Sequence, residues 1–240
     1  MRYTILGVHV DSLSHREFIE QTQSFLMDGR QHFLITPNPE ILLAAAQSPS
    51  YRHVLNHADL AVPDGIGLKY ANLFLRGKKL TRMSGSDLVL DLLKIAENQA
   101  LCVLVVLSEN GLATQEEVSH AMTQQFPSVS THVVVLDPKK PELSSKLSAD
   151  IVFVTFGAPW QEEWIYANMN TNLHFRIALG VGGSFDFLAG KLRRAPRIMR
   201  FFGMEWLWRF MLQPRHRAKR ILRAVVVFPI KVFFSRFRKQ

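Results

Sequence analysis

Between residues 32 and 181 the chain alternates two hydrophobic patterns. Short, almost unbroken apolar runs at 32–36, 59–62, 101–107, 132–136, 151–156 and 175–181 read as strands. They lack the in-out alternation of a half-exposed sheet, so both faces of these strands should be covered. The stretches between them repeat apolar residues every three or four positions, as helices do. They fall at 39–47, 65–75, 84–98, 112–126 and 159–169. An earlier helix opens at Ser14, whose spacing to Glu17 is that of a capping box, and ends near Gly29. Strands alternating with helices predict an α/β fold built on a mostly parallel, doubly wound, Rossmann-like sheet.

The pattern changes near Gly190, where strand signals cease and aromatic and basic residues interleave. A helix from Arg215 onward would gather Ala218, Ile221, Leu222 and Val225 on one side. His216, Lys219, Arg220 and Arg223 would fall on the other. The apolar run at 224–234 contains Pro229 and Lys231 and is too short to cross a bilayer. It reads as an interfacial amphipathic segment, with Lys219, Arg220, Arg223, Ile221, Leu222, Val225 and Phe228 as docking residues. The expected division is an α/β catalytic domain at 1–190 and a basic appendage at 191–240.

Charge sharpens that division. The tail from Lys191 holds 15 of the 29 Lys and Arg against one acid, Glu205. The preceding residues hold the other 14 against 19 acids. A mildly acidic body with a cationic tail points to an anionic partner, such as a phospholipid surface, a lipid diphosphate or nucleic acid. Nucleic acid is the weaker choice, because the basic residues share a helix with an apolar face. The N-terminus shows no signal-peptide pattern, so a cytoplasmic protein held peripherally on the inner membrane face is expected. The single Cys102 excludes an internal disulfide and a cysteine zinc site.

Ligands of open α/β sheets bind where loops leave the carboxyl ends of the strands, and four polar loops qualify. Thr36-Pro37-Asn38-Pro39-Glu40 holds short hydrogen-bonding groups between rigid prolines, and Asn38 before Pro39 also suits a helix start. Val62-Pro63-Asp64-Gly65 offers one carboxylate, either a general base or an N-cap. Gly157-Ala158-Pro159 opens a helix whose first N–H groups could meet an anion. Gly180-Val181-Gly182-Gly183 leads to Asp186 and lets a nucleotide approach the backbone, yet lacks the third glycine of a dinucleotide fingerprint. No phosphate loop of the ATPase type, no HExxH and no Asp-x-Asp pair occurs, so no metal or cofactor is expected. A leaving diphosphate would have to be met by Arg, Lys and helix N-termini.

Taken in order, these segments resemble the WecG/TagA/CpsF glycosyltransferase family from about Gly7 to Arg220. The matching pieces are the Thr36 and Asp64 loops, Arg82-Met83-Ser84-Gly85-Ser86-Asp87, Gly157 to Glu162 and Gly180 to Asp186. Arg194-Ala195-Pro196, Glu205-Trp206 and Pro214 with Arg217 complete the series. The resemblance implies an inverting, metal-independent enzyme of cell-surface polysaccharide synthesis. It would move a sugar, often N-acetylmannosamine or its uronic acid, from UDP to undecaprenyl-diphosphate-linked N-acetylglucosamine; another UDP-hexose such as glucose is the alternative donor. It also implies Asp64 as catalytic base with Thr36 and Asn38 beside it, and Arg82, Gln161, Gly157, Gly182, Gly183 and Asp186 around the substrate. Arg194, Arg215 and Arg217 would reach the substrate from the appendage. Trp160 stands where the family usually has a basic residue.

Overall fold

The computed structural model describes residues 1–143, 146–169, 171, 173–201, 203–212 and 214–237, with backbone alone at 197, 201, 209, 215–217 and 219. The strands are β1 Arg2–Ile5, β2 Val8–Asp11, β3 His32–Ile35, β4 Leu60–Ala61, β5 Cys102–Ser108, β6 Ser130–Leu136, β7 Leu147–Ser148, β8 Ile151–Val154, β9 Leu173–His174 and β10 Ile177–Gly180. Six of them form the central sheet in the order β4-β3-β10-β8-β5-β6, and every pairing in it is parallel. The expected fold class is therefore the observed one.

The body helices are α1 His15–Met27, α2 Pro39–Ala45, α3 Pro49–Asn56, α4 Ile66–Arg76, α5 Gly85–Asn98, α6 Gln115–Gln125, α7 Trp160–Asn168 and α8 Ser184–Leu188. Their starts follow local chemistry. Ser14 and Glu17 form the capping box of α1, and Thr114 with Glu117 forms another for α6. The stretch expected as one helix at 39–47 is followed by a separate helix, α3, because Ser48 caps and Pro49 opens a new one. The β1–β2 hairpin was not expected. It turns through Leu6 and Gly7, both at positive φ, the backbone that a tight two-residue hairpin requires.

Apolar side chains leave the sheet on both faces. Val103, Val105, Leu107, Ile151 and Phe153 meet α1, α5, α6 and α8. Leu104, Val106, Val152 and Val154 meet α2, α3 and α7 on the other face. The helices after β5 and β10 thus lie on one face and those after β3 and β8 on the other, opening crevices at the carboxyl edge.

Beyond Gly190 lie α9 Arg197–Phe201, α10 Glu205–Leu212, α11 Pro214–Leu222, a π-helical turn Arg223–Val227 and α12 Phe228–Ser235. From Pro214 to Ser235 the helix is continuous, and the N–H of Phe228 donates five residues back to Arg223. Pro229 has no N–H to donate, and widening the preceding turn accommodates it within an unbroken helix. Phe228 and Val232 are buried in the same core as α2 and α4.

Candidate functional site

Two hollows lie along the carboxyl edge of the sheet. The larger, of about 620 Å³, is walled by the loops after β3 and β4, by α4, and by the tail helices. Val62 N–H donates to Ile35 O and Asp64 N–H to Pro37 O at 2.9 Å, so the two loops are laced side by side. Gly65, at φ +96°, takes the cap position of α4 and offers it no side-chain bond, so Asp64 is not the N-cap. A Cβ built on Gly85 would lie 3.4 Å from Thr36 Oγ1 and 3.5 Å from Asp64 Oδ2. Both groups therefore converge on the first turn of α5. The positive end of that 14-residue helix faces the same place.

Asn38 also lines this cleft, and its Oδ1 accepts from Glu40 N–H and Ile41 N–H at 3.0 Å, so the residue does cap α2. Arg82 enters the wall with one nitrogen bonded to Arg200 O at 2.8 Å. Arg220 reaches across from α11 to clasp Glu40, its Nε 2.8 Å from both carboxylate oxygens. Tyr70, Phe74, Trp206, Val225 and Phe233 give the cleft an apolar lining. Sequence reasoning did not single out Glu205 as a site residue. It is buried in the cleft wall, where its Oε2 accepts from Ser84 Oγ at 3.2 Å. An acid inside a basic, aromatic stretch was the available signal.

The smaller hollow, of about 400 Å³, sits over the ends of β5, β8 and β10. Ser108, Asn110, Thr155, Gly182, Gly183 and Asp186 line it. Asp186 Oδ1 accepts from Ala113 N–H at 3.2 Å, tying two of its walls. Ser86 and Ser184, 3.4 Å apart, join the start of α5 to this hollow. Arg194 pairs with Asp87 of α5 at 2.6 Å, and Arg200 approaches the same oxygen at 3.6 Å. Leu192, just before this basic segment, borders the smaller hollow.

Behind the loops runs a buried polar chain. Gln161 Oε1 accepts from the N–H groups of Gly157 and Gly182, each at 3.0 Å. The expectation that Gly157 presents an open amide is thus corrected, because Gln161 already occupies that donor. Gln161 Nε2 donates to Glu162 Oε1 at 2.7 Å, and Tyr51 Oη donates to Glu162 Oε2 at 2.9 Å. Burial pushes the Glu162 carboxyl up to about 7, and burial beside Glu162 raises the Tyr51 phenol.

The docking residues divide. Leu222 and Val225 are exposed and Ile221 and Arg223 half-buried, whereas Phe228 is only 1% exposed. Phe228 cannot enter a head-group layer, since its ring is packed over Gly67. Arg220 is engaged with Glu40, although its side chain remains exposed. The side chains of Arg215, Arg217 and Lys219 lie outside the described residues. The run at 224–234 expected to be interfacial does expose Ile230, Phe233 and Phe234; Phe237 just beyond α12 and, not expected from sequence, Tyr70 and Phe74 of α4 are exposed as well. Among the described residues no helix is long and apolar enough to cross a membrane, and no three His, Cys, Asp or Glu side chains are grouped to hold a metal.

Comparison with known proteins adds chemistry to this geometry. A Staphylococcus aureus protein (strain MRSA252) named N-acetylglucosaminyldiphosphoundecaprenol N-acetyl-beta-D-mannosaminyltransferase is 30% identical over 237 residues, covering 95% of this chain and 91% of the relative. Its namesake from strain NCTC 8325 / PS 47 is 29% identical over 235 residues, with the same two coverages. The family described as Glycosyl transferase WecG/TagA/CpsF matches residues 3–240. The carboxyl-edge clefts thus belong to a sugar-transferring fold, and this chain is a member of the WecG/TagA/CpsF glycosyltransferase family.

Proposed function

We propose that this glycosyltransferase moves N-acetylmannosamine, or a closely related hexosamine, from UDP to undecaprenyl-diphosphate-linked N-acetylglucosamine with inversion. The observation that carries this is the convergence of Asp64 and Thr36 on the start of α5, at a cleft with a largely apolar lining. The printed names of the relatives support the same donor sugar and acceptor.

In this reading the UDP moiety occupies the hollow over β5, β8 and β10, and the acceptor enters the larger cleft. The acceptor hydroxyl attacks the anomeric carbon while Asp64 takes its proton, a contribution of typically 10² to 10⁴ in rate. The bond from that carbon to the diphosphate oxygen breaks, and its electron pair leaves with UDP. Arg82, Arg194 and the N-terminus of α5 stabilise that charge, and one such preorganised contact is worth roughly 3 to 4 kcal/mol. Thr36 and Asn38 hold the reacting sugars against Asp64. Residues 1–190 form the donor-binding body, and 191–240 close the acceptor cleft and dock on the inner membrane face. Docking is by the exposed apolar surface of α4 and α12 together with the tail cations. The lipid chain of the acceptor then leaves the cleft past Tyr70, Phe74 and Phe233.

The test is a donor screen against synthetic lipid-diphosphate N-acetylglucosamine, reading UDP release and product mass. UDP-N-acetylmannosamine is expected to give a β-linked disaccharide lipid, with other UDP-hexoses at least tenfold slower. Preferred transfer from UDP-glucose would replace the donor assignment, and an α-linked product would overturn the inverting mechanism.

A further inference from the structure

Gln161 is buried, as are its neighbours Glu162 and Tyr51. Its carbonyl oxygen accepts from two backbone amides, Gly157 after β8 and Gly182 after β10. These two loops border adjacent strands, and Gly182 lines the smaller hollow with Phe156, the neighbour of Gly157. One side-chain oxygen therefore draws together two walls of the nucleotide pocket. An amide of nearly symmetric shape can hold that oxygen forward only if something distinguishes its two ends. Glu162 does so, since its Oε1 accepts from Gln161 Nε2 and its Oε2 from Tyr51 Oη. Rotating the Gln161 amide by half a turn would set an NH2 against two N–H donors and a carbonyl against a carboxylate.

A second observation agrees. A Cβ built on Gly180 would lie 2.6 Å from Gln161 Nε2 and 2.7 Å from its Cδ, so the last residue of β10 leaves room for this amide alone.

We propose that Glu162 is a positioning residue for the transfer reaction: it fixes the orientation of Gln161, whose carbonyl clamps the β8 and β10 loops into the shape that binds the UDP donor. The proposal rests on the reading of the smaller hollow as the nucleotide pocket. Glu162 touches no substrate, and the loss of its acceptor oxygens acts through Gln161 on donor affinity.

The experiment compares wild type with Glu162→Met, which keeps chain length but offers no oxygen, and with Glu162→Gln, which can present a carbonyl to Gln161 and an NH2 to Tyr51 Oη. Donor KM and kcat are measured together with amide hydrogen exchange at Gly157 and Gly182. In Glu162→Met the donor KM should rise by about tenfold or more with kcat within a few-fold, and the two glycine amides should exchange faster while β5 amides stay protected. Glu162→Gln should restore both readouts most of the way. Unchanged protection at Gly157 and Gly182 in Glu162→Met would overturn the clamp. Lost protection with unchanged donor KM would keep the clamp but remove its role in donor binding. Should wild type itself fail to use any UDP-sugar, the exchange arm still decides the clamp, and the failure falls on the functional reading. If Glu162→Met does not fold, Gly180→Ala, whose added methyl displaces the same amide, must reproduce the faster exchange or the proposal fails.

Discussion

Asp64 stands one residue before the cap of α4, and that single step determines what its side chain does. The N-cap of α4 is Gly65, so Asp64 does not cap it, whereas Asn38 caps α2 through its Oδ1. Because Asp64 converges with Thr36 on Gly85, Asp64→Asn is expected to cut turnover at least about a hundredfold while UDP binding and thermal midpoint stay near wild type. Single-turnover kinetics with titration calorimetry would check this; a few-fold effect would remove Asp64 from the chemistry. Glu162 allows a prediction of opposite kind. Its folded-state value of about 7 lies above the ordinary 4.5, so the native protein keeps a proton that the unfolded chain gives up. Stability contributed by this site must then fall as pH rises through 4.5 to 7 and stay low above it. Urea midpoints of Glu162→Gln relative to wild type should improve between pH 5 and pH 8, and parallel curves would refute the burial account. Thr36, Asn38 and Asp64 were legible as candidates because each sits in a short polar loop after a strand signal, whereas Arg82 entered only through the family resemblance. Glu162 and Glu205 were not, because their meaning comes from burial against Tyr51 and Ser84, far away along the chain.

At the scale of elements, the tail shows how periodicity can locate a helix and yet mistake what its faces touch. The spacing of Ile221, Val225 and Phe228 does mark one side of a helix; Ile221 and the exposed Val225 line the cleft, whereas Phe228 is buried in the core. From 224 onward the segment is apolar on two sides, and the body claims one of them. What remains outside is Leu222, Val226, Ile230, Phe233, Phe234 and Phe237, joined to Tyr70 and Phe74 of α4. Arg236 stitches the two helices, with its guanidinium 4.9 Å over the Phe74 ring and a hydrogen bond of 3.0 Å to Phe74 O. Replacing Phe234 and Phe237 with Asp removes two side chains that would each gain about 1.5 to 3 kcal/mol on burial. Partitioning onto anionic vesicles should drop at least about tenfold with the melting temperature unchanged, as read by vesicle sedimentation and calorimetry. Undiminished sedimentation would move the docking surface elsewhere. Phe228→Asp should instead unfold the tail, since that ring belongs to the core.

Across the whole molecule, charge and topology point to different tasks. In the proposed mechanism the cations concentrated after Gly190 act on the leaving diphosphate and on the surface where the acceptor resides. Since arginines and a helix N-terminus supply that charge, transfer should persist in excess EDTA; complete loss on chelation, restored by Mg²⁺ or Mn²⁺, would sink the metal-independent mechanism. The alternation of strands and helices made the parallel sheet legible in full. Strand order was not, because pairing between distant segments leaves no periodic trace. That order carries a consequence for biosynthesis. β3 and β5 are never neighbours: β8 and β10, made some hundred residues after β3, slot between them. A nascent chain on the ribosome therefore holds two half-sheets with bare inner edges until residue 180 has emerged. Each proposed substrate hollow joins early and late segments: the larger takes its walls from 38–82 and 203–233, the smaller from 107–113 and 155–192. A product terminated before residue 180 thus carries neither hollow whole.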